Sequence, residues 1–281
     1  MLLSIITINY NNRDGLRKTI ESVVRQTFLD FEYIIIDGGS SDGSVEVIKE
    51  YANKINYWVS EKDKGIYNAM NKGALVAHGE YTLFLNSGDA FIDGDVLNKV
   101  FENDLYADIV CGNLFYYNGG SWVAPEQVTM EYFILGSLPH PSSLIRRSLF
   151  DVHQYDERYK IAGDWEFFMY HLIVGNVTYQ HIDVCIALFD TTGISSTTNK
   201  DQYDVELKQK AVSRIIPPRV LIDYDVYMGK RDDYHRLFYS LGHTNFKMFF
   251  YRLIVFLLKV AMFNRGWIKD YSIIHGLHEN K

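Results

Sequence analysis

The first 113 residues alternate between two hydrophobic periods, and this restricts the fold more than any other feature of the chain. "LLSIITI" (2–8) is a continuous apolar run, the pattern of a strand covered on both faces. After the loop "NYNNRDG", residues Leu16, Ile20, Val23 and Val24 fall on one helical face. "FEYIIID" (31–37) is a second buried strand and "GGSSDGS" its loop, and Val45, Val47 and Ile48 open a second helix. "INYWVSE" (55–61) is a third strand, and Ile66, Ala69, Met70, Gly73, Ala74 and Ala77 mark a third helix. "EYTLFLN" (80–86) and "ADIVCGN" (107–113) supply the fourth and fifth strands. Strands alternating with helices across short loops imply an α/β fold, a parallel sheet with helices on both faces. Ligands bind such sheets beyond the carboxyl ends of the strands.

Past residue 113 the pattern thins. "YYNGGSW" (116–122) reads as a hairpin turning on Gly119 and Gly120. A strand lies within "LPHPSSLIRRSLF" (138–150), a helix over 163–172 and another strand over "HIDVCIALFD" (181–190).

Three Asp residues, Asp37, Asp63 and Asp89, stand at or just after strand ends, so three strands deliver carboxylates to one rim. Neither GxGxxG nor GxxxxGK[ST] occurs, which sets aside Rossmann dinucleotide and P-loop readings. Carboxylates at a rim without a glycine-rich phosphate loop point to a metal-bridged diphosphate, since Mg²⁺ and Mn²⁺ prefer carboxylate and phosphate oxygens. The net charge of −7 argues against nucleic-acid binding. Cys111 and Cys185 sit in apolar runs and read as reduced core residues without metal-ligand spacing. "MLLSIITI" has no basic start and no cleavage site after it, so the expectation is a cytoplasmic protein.

"SIITINYNN", "QTFLDFEYIIIDGGSSDGS", "DKGIYNAMNKGALVAHGEYTLFLNSGD" and "HPSSLIRRSLF…GDWEFF" together resemble the family-2 glycosyltransferases, which have the GT-A nucleotide-sugar fold. The resemblance covers residues 1–200, taken as the catalytic domain, with 201–281 a helical C-terminal extension. It implies an inverting transfer from a nucleotide-diphosphate sugar, a UDP-sugar first, to a saccharide or lipid-linked saccharide in capsule, O-antigen or exopolysaccharide assembly. In that likeness Thr7, Asn9 and Tyr10 contact the nucleotide, and Asp37 binds the base or ribose. Many relatives carry a second Asp where this chain has Gly38, so Asp42 is expected to share the duty unless it caps a helix. Asp63, Lys64, Gly65 and Asn68, with Asn71, approach the nucleoside, diphosphate and sugar, though Asn71 and Lys72 also suit a solvated helix face. The family's Asp-x-Asp appears as Asn86-Ser87-Gly88-Asp89: Asp89 is the expected ligand of Mn²⁺ or Mg²⁺, and Asn86 and Gly88 adjoin the sugar-nucleotide. Asp164 is the expected catalytic base with Glu166 as the reserve. His140 belongs to the acceptor side, Arg146 and Arg147 either meet an acceptor phosphate or are solvated, and His181 is a later metal candidate or an ordinary His. "TTGISS" (191–196) resembles a segment that closes over the site.

Residues 246–263, "FKMFFYRLIVFLLKVAMF", are apolar but interrupted by Arg252 and Lys259. The run is short for a span and presents a basic face, as an interfacial helix does, so peripheral contact with the cytoplasmic membrane is expected; a helix packed on the domain is the alternative. Three other readings compete with the transferase. A nucleotidyltransferase would need a basic glycine-rich loop after the first strand; a non-catalytic nucleotide-sugar binding module would explain Asn86; a membrane scaffold would leave the Asp rim without a use.

Overall fold

The first half of the chain forms β1 (Leu3–Asn9), α1 (Arg13–Val24), β2 (Phe31–Asp37), α2 (Ser44–Glu50), β3 (Tyr57–Ser60), α3 (Ile66–Val76) and β4 (Tyr81–Phe84). All seven residues of β1 are buried, as its unbroken apolar run requires. Asn12 caps α1 by accepting from the Gly15 N–H, and the helix buries Leu16, Ile20 and Val23, the positions its 3.6-residue period placed on one face. Each of those side chains contributes roughly 2 kcal/mol of burial. The odd-numbered β1 and β2 residues Leu3, Ile5, Tyr33 and Ile35 share one core cluster with Leu16, Ile20, Val47 and Ile48 of α1 and α2. α3 also packs on β1 and β2, so strands in this region are covered by helices.

The chain continues through β5 (Ala90–Phe91), α4 (Val96–Phe101), β6 (Ile109–Tyr116), β7 (Ser121–Trp122), α5 (Met130–Leu135), β8 (Ser143–Arg146), α6 (Leu149–Val152), α7 (Gly163–Met169) and β9 (Tyr179–Phe189). The sheet order among the described residues is β3-β2-β1-β4-β8-β6-β9-β5, with β7 on β6. Pairings from β3 to β4 are parallel. The sheet then departs from the all-parallel expectation: β8 inserts antiparallel between β4 and β6, and β5 is antiparallel to β9. β8 arrives late in the chain and from the opposite end, so the fifth predicted strand, β6, pairs with β8 and β9 and does not touch β4. The hairpin at Gly119 and Gly120 forms, pairing Leu114 with Trp122. Cys111 is buried as expected; Cys185 is partly exposed, and both thiols are free.

The computed structural model describes residues 1–193, 213–224 and 226–227. The chain divides into two units, Met1–Ile215 and Ile216–Lys281, and the second is helical over 218–224. The basic apolar segment 246–263 and most of the expected extension lie outside the described residues, as do residues 194–196 of "TTGISS". No helix among the described residues is long and apolar enough to cross a membrane.

Candidate active site

Parallel register builds the rim. Asn9 pairs with Asp37, and Asp37 with Ser60, so the last residues of three strands stand in a row. The strand order 3-2-1 reverses between β1 and β4, the place where an open α/β sheet leaves a crevice. A cleft of about 850 Å³ opens there. Asn9, Tyr10, Asp63, Gly65, Asn86, Asp89, His140 and Asp164 line it.

Asp37 lies beneath the rim and is fully buried. Its Oδ1 accepts from Asn9 Nδ2 (2.7 Å) and Ser40 Oγ (2.6 Å), and its Oδ2 from Ser60 Oγ (2.6 Å) and the Ser40 N–H (2.9 Å). Burial alone would raise its pKa, but these donors outweigh it and hold the carboxyl below the usual range. Asp37 therefore spends its acceptors on its own loop and on the ends of the two neighbouring strands. The carboxylate that faces the cleft here is Asp63: its Oδ2 lies 2.5 Å from where a Cβ on Gly38 would stand. The space that a second acid would occupy after Asp37 is taken by Asp63. Gly65 opens α3 directly behind it, and Ile66, Tyr67, Ala69 and Met70 of that helix line the cleft. The helix N-terminus thus turns its unpaired N–H groups and positive dipole end toward this space.

Asp89 is 5% exposed. Its Oδ1 accepts from the Asp190 N–H (2.8 Å), and burial still pushes its pKa up to about 7. Asn86 keeps a buried Oδ1 with no hydrogen-bond partner. A buried carboxylate beside an orphaned amide oxygen is a hard-oxygen donor set, and it fits a Mg²⁺ or Mn²⁺ ion that takes its remaining ligands from phosphate and water. Among the described residues no group of three or more His, Cys, Asp or Glu is placed to hold a metal.

Asp164 stands in the first turn of α7. Its Oδ1 accepts from the Trp165 N–H (2.9 Å) and lies 3.3 Å from the Tyr67 hydroxyl, which donates to the Ile161 carbonyl (2.5 Å). Burial raises its pKa to about 6 against these bonds. A carboxyl tuned there is ionised at neutral pH and remains a competent proton acceptor. Trp165 Nε1 donates to the Phe133 and Gly136 carbonyls, so the helix bearing Asp164 is tied to the end of α5.

Several expected residues stand elsewhere. Thr7 is buried, donating to the Leu85 carbonyl (2.7 Å) and meeting Tyr33 Oη (3.0 Å). Lys64 is exposed outside the cleft, and Lys62 lines it instead. Asn68 and Asn71 reach Glu157 and the Tyr155 backbone, clamping α3 to the loop before α7, and Lys72 pairs with Glu61. Asp42 accepts from the Arg13 N–H and from Ser44. Glu166, two residues beyond Asp164, is carried round the helix away from the cleft, where both oxygens meet His153 Nε2 at 3.0–3.1 Å. His140 does line the cleft, but burial lowers its pKa to about 3; it is a neutral ring stacked on Phe84 and bonded to Tyr155 Oη (2.6 Å). Arg146 pairs with Glu80 and Arg147 with Asp151. His181 pairs with Glu126 and Asn113 off the cleft.

The cleft also contains residues that the sequence reading did not single out: Asn12, Lys62, Tyr67, Lys160 and Asp190. Asp190 carried a usable signal. It ends the apolar run "CIALF" as Asp37 ends "YIII", and the strand-end rule applied to β9 would have marked it.

Comparison with known proteins agrees with this geometry. Residues 4–168 match the family model described as Glycosyl transferase family 2. An uncharacterized glycosyltransferase of Mycobacterium tuberculosis is 33% identical over 204 residues, 69% of this chain and 77% of that protein. A PGL/p-HBAD biosynthesis glycosyltransferase of Mycobacterium bovis is 27% identical over 213 residues, 72% of this chain and 81% of that protein. Among solved structures, S. aureus TarS 1–349 in complex with UDP-GlcNAc superposes with a TM-score of 0.60 at 22% identity, covering 73% of this chain and 64% of that one. The mannosyltransferase PcManGT from Pyrobaculum calidifontis, in complex with GDP-Man and Mn²⁺, gives 0.52 at 14%, covering 66% and 56%. At these identities the structures speak for the fold, a GT-A sheet. Fold, cleft and family match converge, and the chain belongs to glycosyl transferase family 2.

Proposed function

We propose that this protein is an inverting glycosyltransferase that moves a sugar from a nucleotide-diphosphate sugar, a UDP-sugar in the first instance, to a saccharide or lipid-linked saccharide. The observation that carries the reading is that Asp89, Asp164 and the N-terminal end of α3 line one cleft. Asp63 and Tyr10, which line the cleft beside Gly38, would meet the nucleoside. The α3 N-terminus suits the diphosphate, because its free N–H groups and dipole favour anions. Asp89, with Asn86 beside it, would hold a Mg²⁺ or Mn²⁺ ion, which when bound neutralises charge on the departing diphosphate.

Asp164 takes the proton from the acceptor hydroxyl as its oxygen attacks the anomeric carbon. The bond to the diphosphate breaks on the opposite face, so the configuration inverts. The Trp165 N–H holds Asp164 Oδ1, and this fixes the side chain while leaving Oδ2 for the acceptor. His140, neutral and stacked, serves as a wall of the site and carries no charge toward phosphate. A lipid-linked acceptor in surface-polysaccharide or glycolipid assembly fits the M. bovis relative named for PGL/p-HBAD biosynthesis and the basic apolar run 246–263.

The test is nucleotide-diphosphate release from a panel of UDP-, GDP- and dTDP-sugars with Mn²⁺. Release from one donor, lost in Asp89→Ala and strongly reduced in Asp164→Asn, is the expected result. Donor binding without release, even after saccharide and lipid-linked acceptors are added, would overturn the reading in favour of a binding module.

A further inference from the structure

β5 and β9 run antiparallel, pairing Ala90 with Leu188 and Phe91 with Ala187. That pairing brings the residues just before β5 against the residue just after β9. Asp190 N–H donates to Asp89 Oδ1 at 2.8 Å. The Asp190 side chain is held as well: its Oδ1 accepts from the Thr192 N–H (2.9 Å) and Thr192 Oγ1 (2.8 Å). Its Oδ2 lies against the Gly88 backbone, 2.5 Å from where a Cβ there would stand, and Gly88 has φ +109. Asp89, Asp190 and Asn86, with its orphaned Oδ1, all line the same cleft. Two carboxylates about a hundred residues apart thus line one cleft, the buried one held by the backbone N–H of the other, and the unsatisfied amide oxygen of Asn86 belongs to the same lining. Like charges so placed repel unless a cation lies between them.

We propose that Asp190 is the second carboxylate ligand of the divalent cation held by Asp89, standing in for the acid that relatives carry at the position of Asn86. Oxygen donors from Asp89 and Asp190, with Asn86 Oδ1 beside them, match the preference of Mg²⁺ and Mn²⁺ for hard ligands, and the diphosphate completes the shell. This rests on the transferase reading above and assigns the metal to two strand ends rather than to one local motif. It also replaces His181, which faces Glu126, as the later ligand.

The experiment is Mn²⁺ titration of the full chain by electron paramagnetic resonance, with and without UDP, on wild type, Asp190→Asn, Asp89→Asn and the double variant Asn86→Asp/Asp190→Asn. UDP affinity in EDTA is measured alongside, together with melting temperature. Asp190→Asn is expected to weaken Mn²⁺ binding at least ~10-fold, since even outer-shell partners of a metal cost that much. It should keep metal-free UDP affinity and melt no lower than wild type. The double variant should recover Mn²⁺ affinity by returning an acid to position 86. Mn²⁺ binding by Asp190→Asn equal to wild type, with binding lost in Asp89→Asn, would overturn the assignment and leave Asp190 a loop residue. Wild type that binds UDP but no Mn²⁺ would also overturn it while the donor reading stands. Failure to bind any nucleotide diphosphate would instead remove the transferase reading on which it rests.

Discussion

Asp164→Asn should cost activity and increase stability, and both follow from one carboxyl. In the folded protein burial holds its pKa at about 6, against the ordinary 3.8. A raised acid pKa means that ionisation favours the unfolded chain. Below pH 3.8 the carboxyl is neutral in both states and nothing is lost. As pH climbs through 6 the folded state loses stability relative to the unfolded one, and above 6 the loss is complete. At about 1.4 kcal/mol per tenfold difference, the ceiling is about 3 kcal/mol at pH 7, with about half already present at pH 5. The carboxyl lines the cleft and keeps a partly exposed edge, which lowers the expected value to about 1–3 kcal/mol. Asparagine retains an Oδ1 for the Trp165 N–H and the Tyr67 hydroxyl, so the bonds survive and only the charge goes. Urea unfolding of both proteins between pH 5 and 8 measures this. The Asn variant should be the more stable by a margin that widens with pH, while its turnover falls about 10²–10⁴-fold. A margin that is absent, reversed or flat across that range would refute the claim that Asp164 is held ionised against burial, and with it the physical basis for its role as base.

With saturating divalent cation holding Asp89 ionised, wild-type kcat/KM should fall tenfold per unit below a single pKa of about 6, and a pH–rate profile without that limb would exclude Asp164 as the group. Tyr67→Phe removes a hydroxyl that helps keep the Asp164 pKa down, so the acid limb should move upward and turnover should drop about fivefold, the worth of one hydrogen bond. Glu166→Gln should keep activity within about threefold, because that side chain meets His153 away from the cleft; a loss of 10² or more would make Glu166 the base after all. Gly88→Ala should destabilise by about 2 kcal/mol or more in urea, since it strains a φ of +109 and drives a Cβ into the Asp190 carboxylate.

The strand–helix alternation of residues 1–84 was legible because each element there buries its own residues at its own period. The seven-residue apolar run became a seven-residue buried strand, and Leu16, Ile20 and Val23 went inward as their spacing required. Strand-end position also marked Asp63 and Asp89, and both line the cleft. Direction and duty were decided by the tertiary structure. A strand buried on both faces shows no alternation that would mark its direction, so nothing in "SLIR" announced that β8 would slide between β4 and β6. Asp37 and Asp63 look alike in sequence. One has both oxygens bonded to its own loop and to the ends of the neighbouring strands, and the other faces the cleft beside a missing Cβ. Asp164 and Glu166 are two residues apart, and only the turn of the helix separates a cleft carboxyl from one bonded to His153. Pattern along the chain determined which residues are buried and where strands end. Which carboxylates meet, as Asp89 and Asp190 do across about a hundred residues, depended on sheet pairing, because that contact is made by backbone register and not by neighbours in sequence.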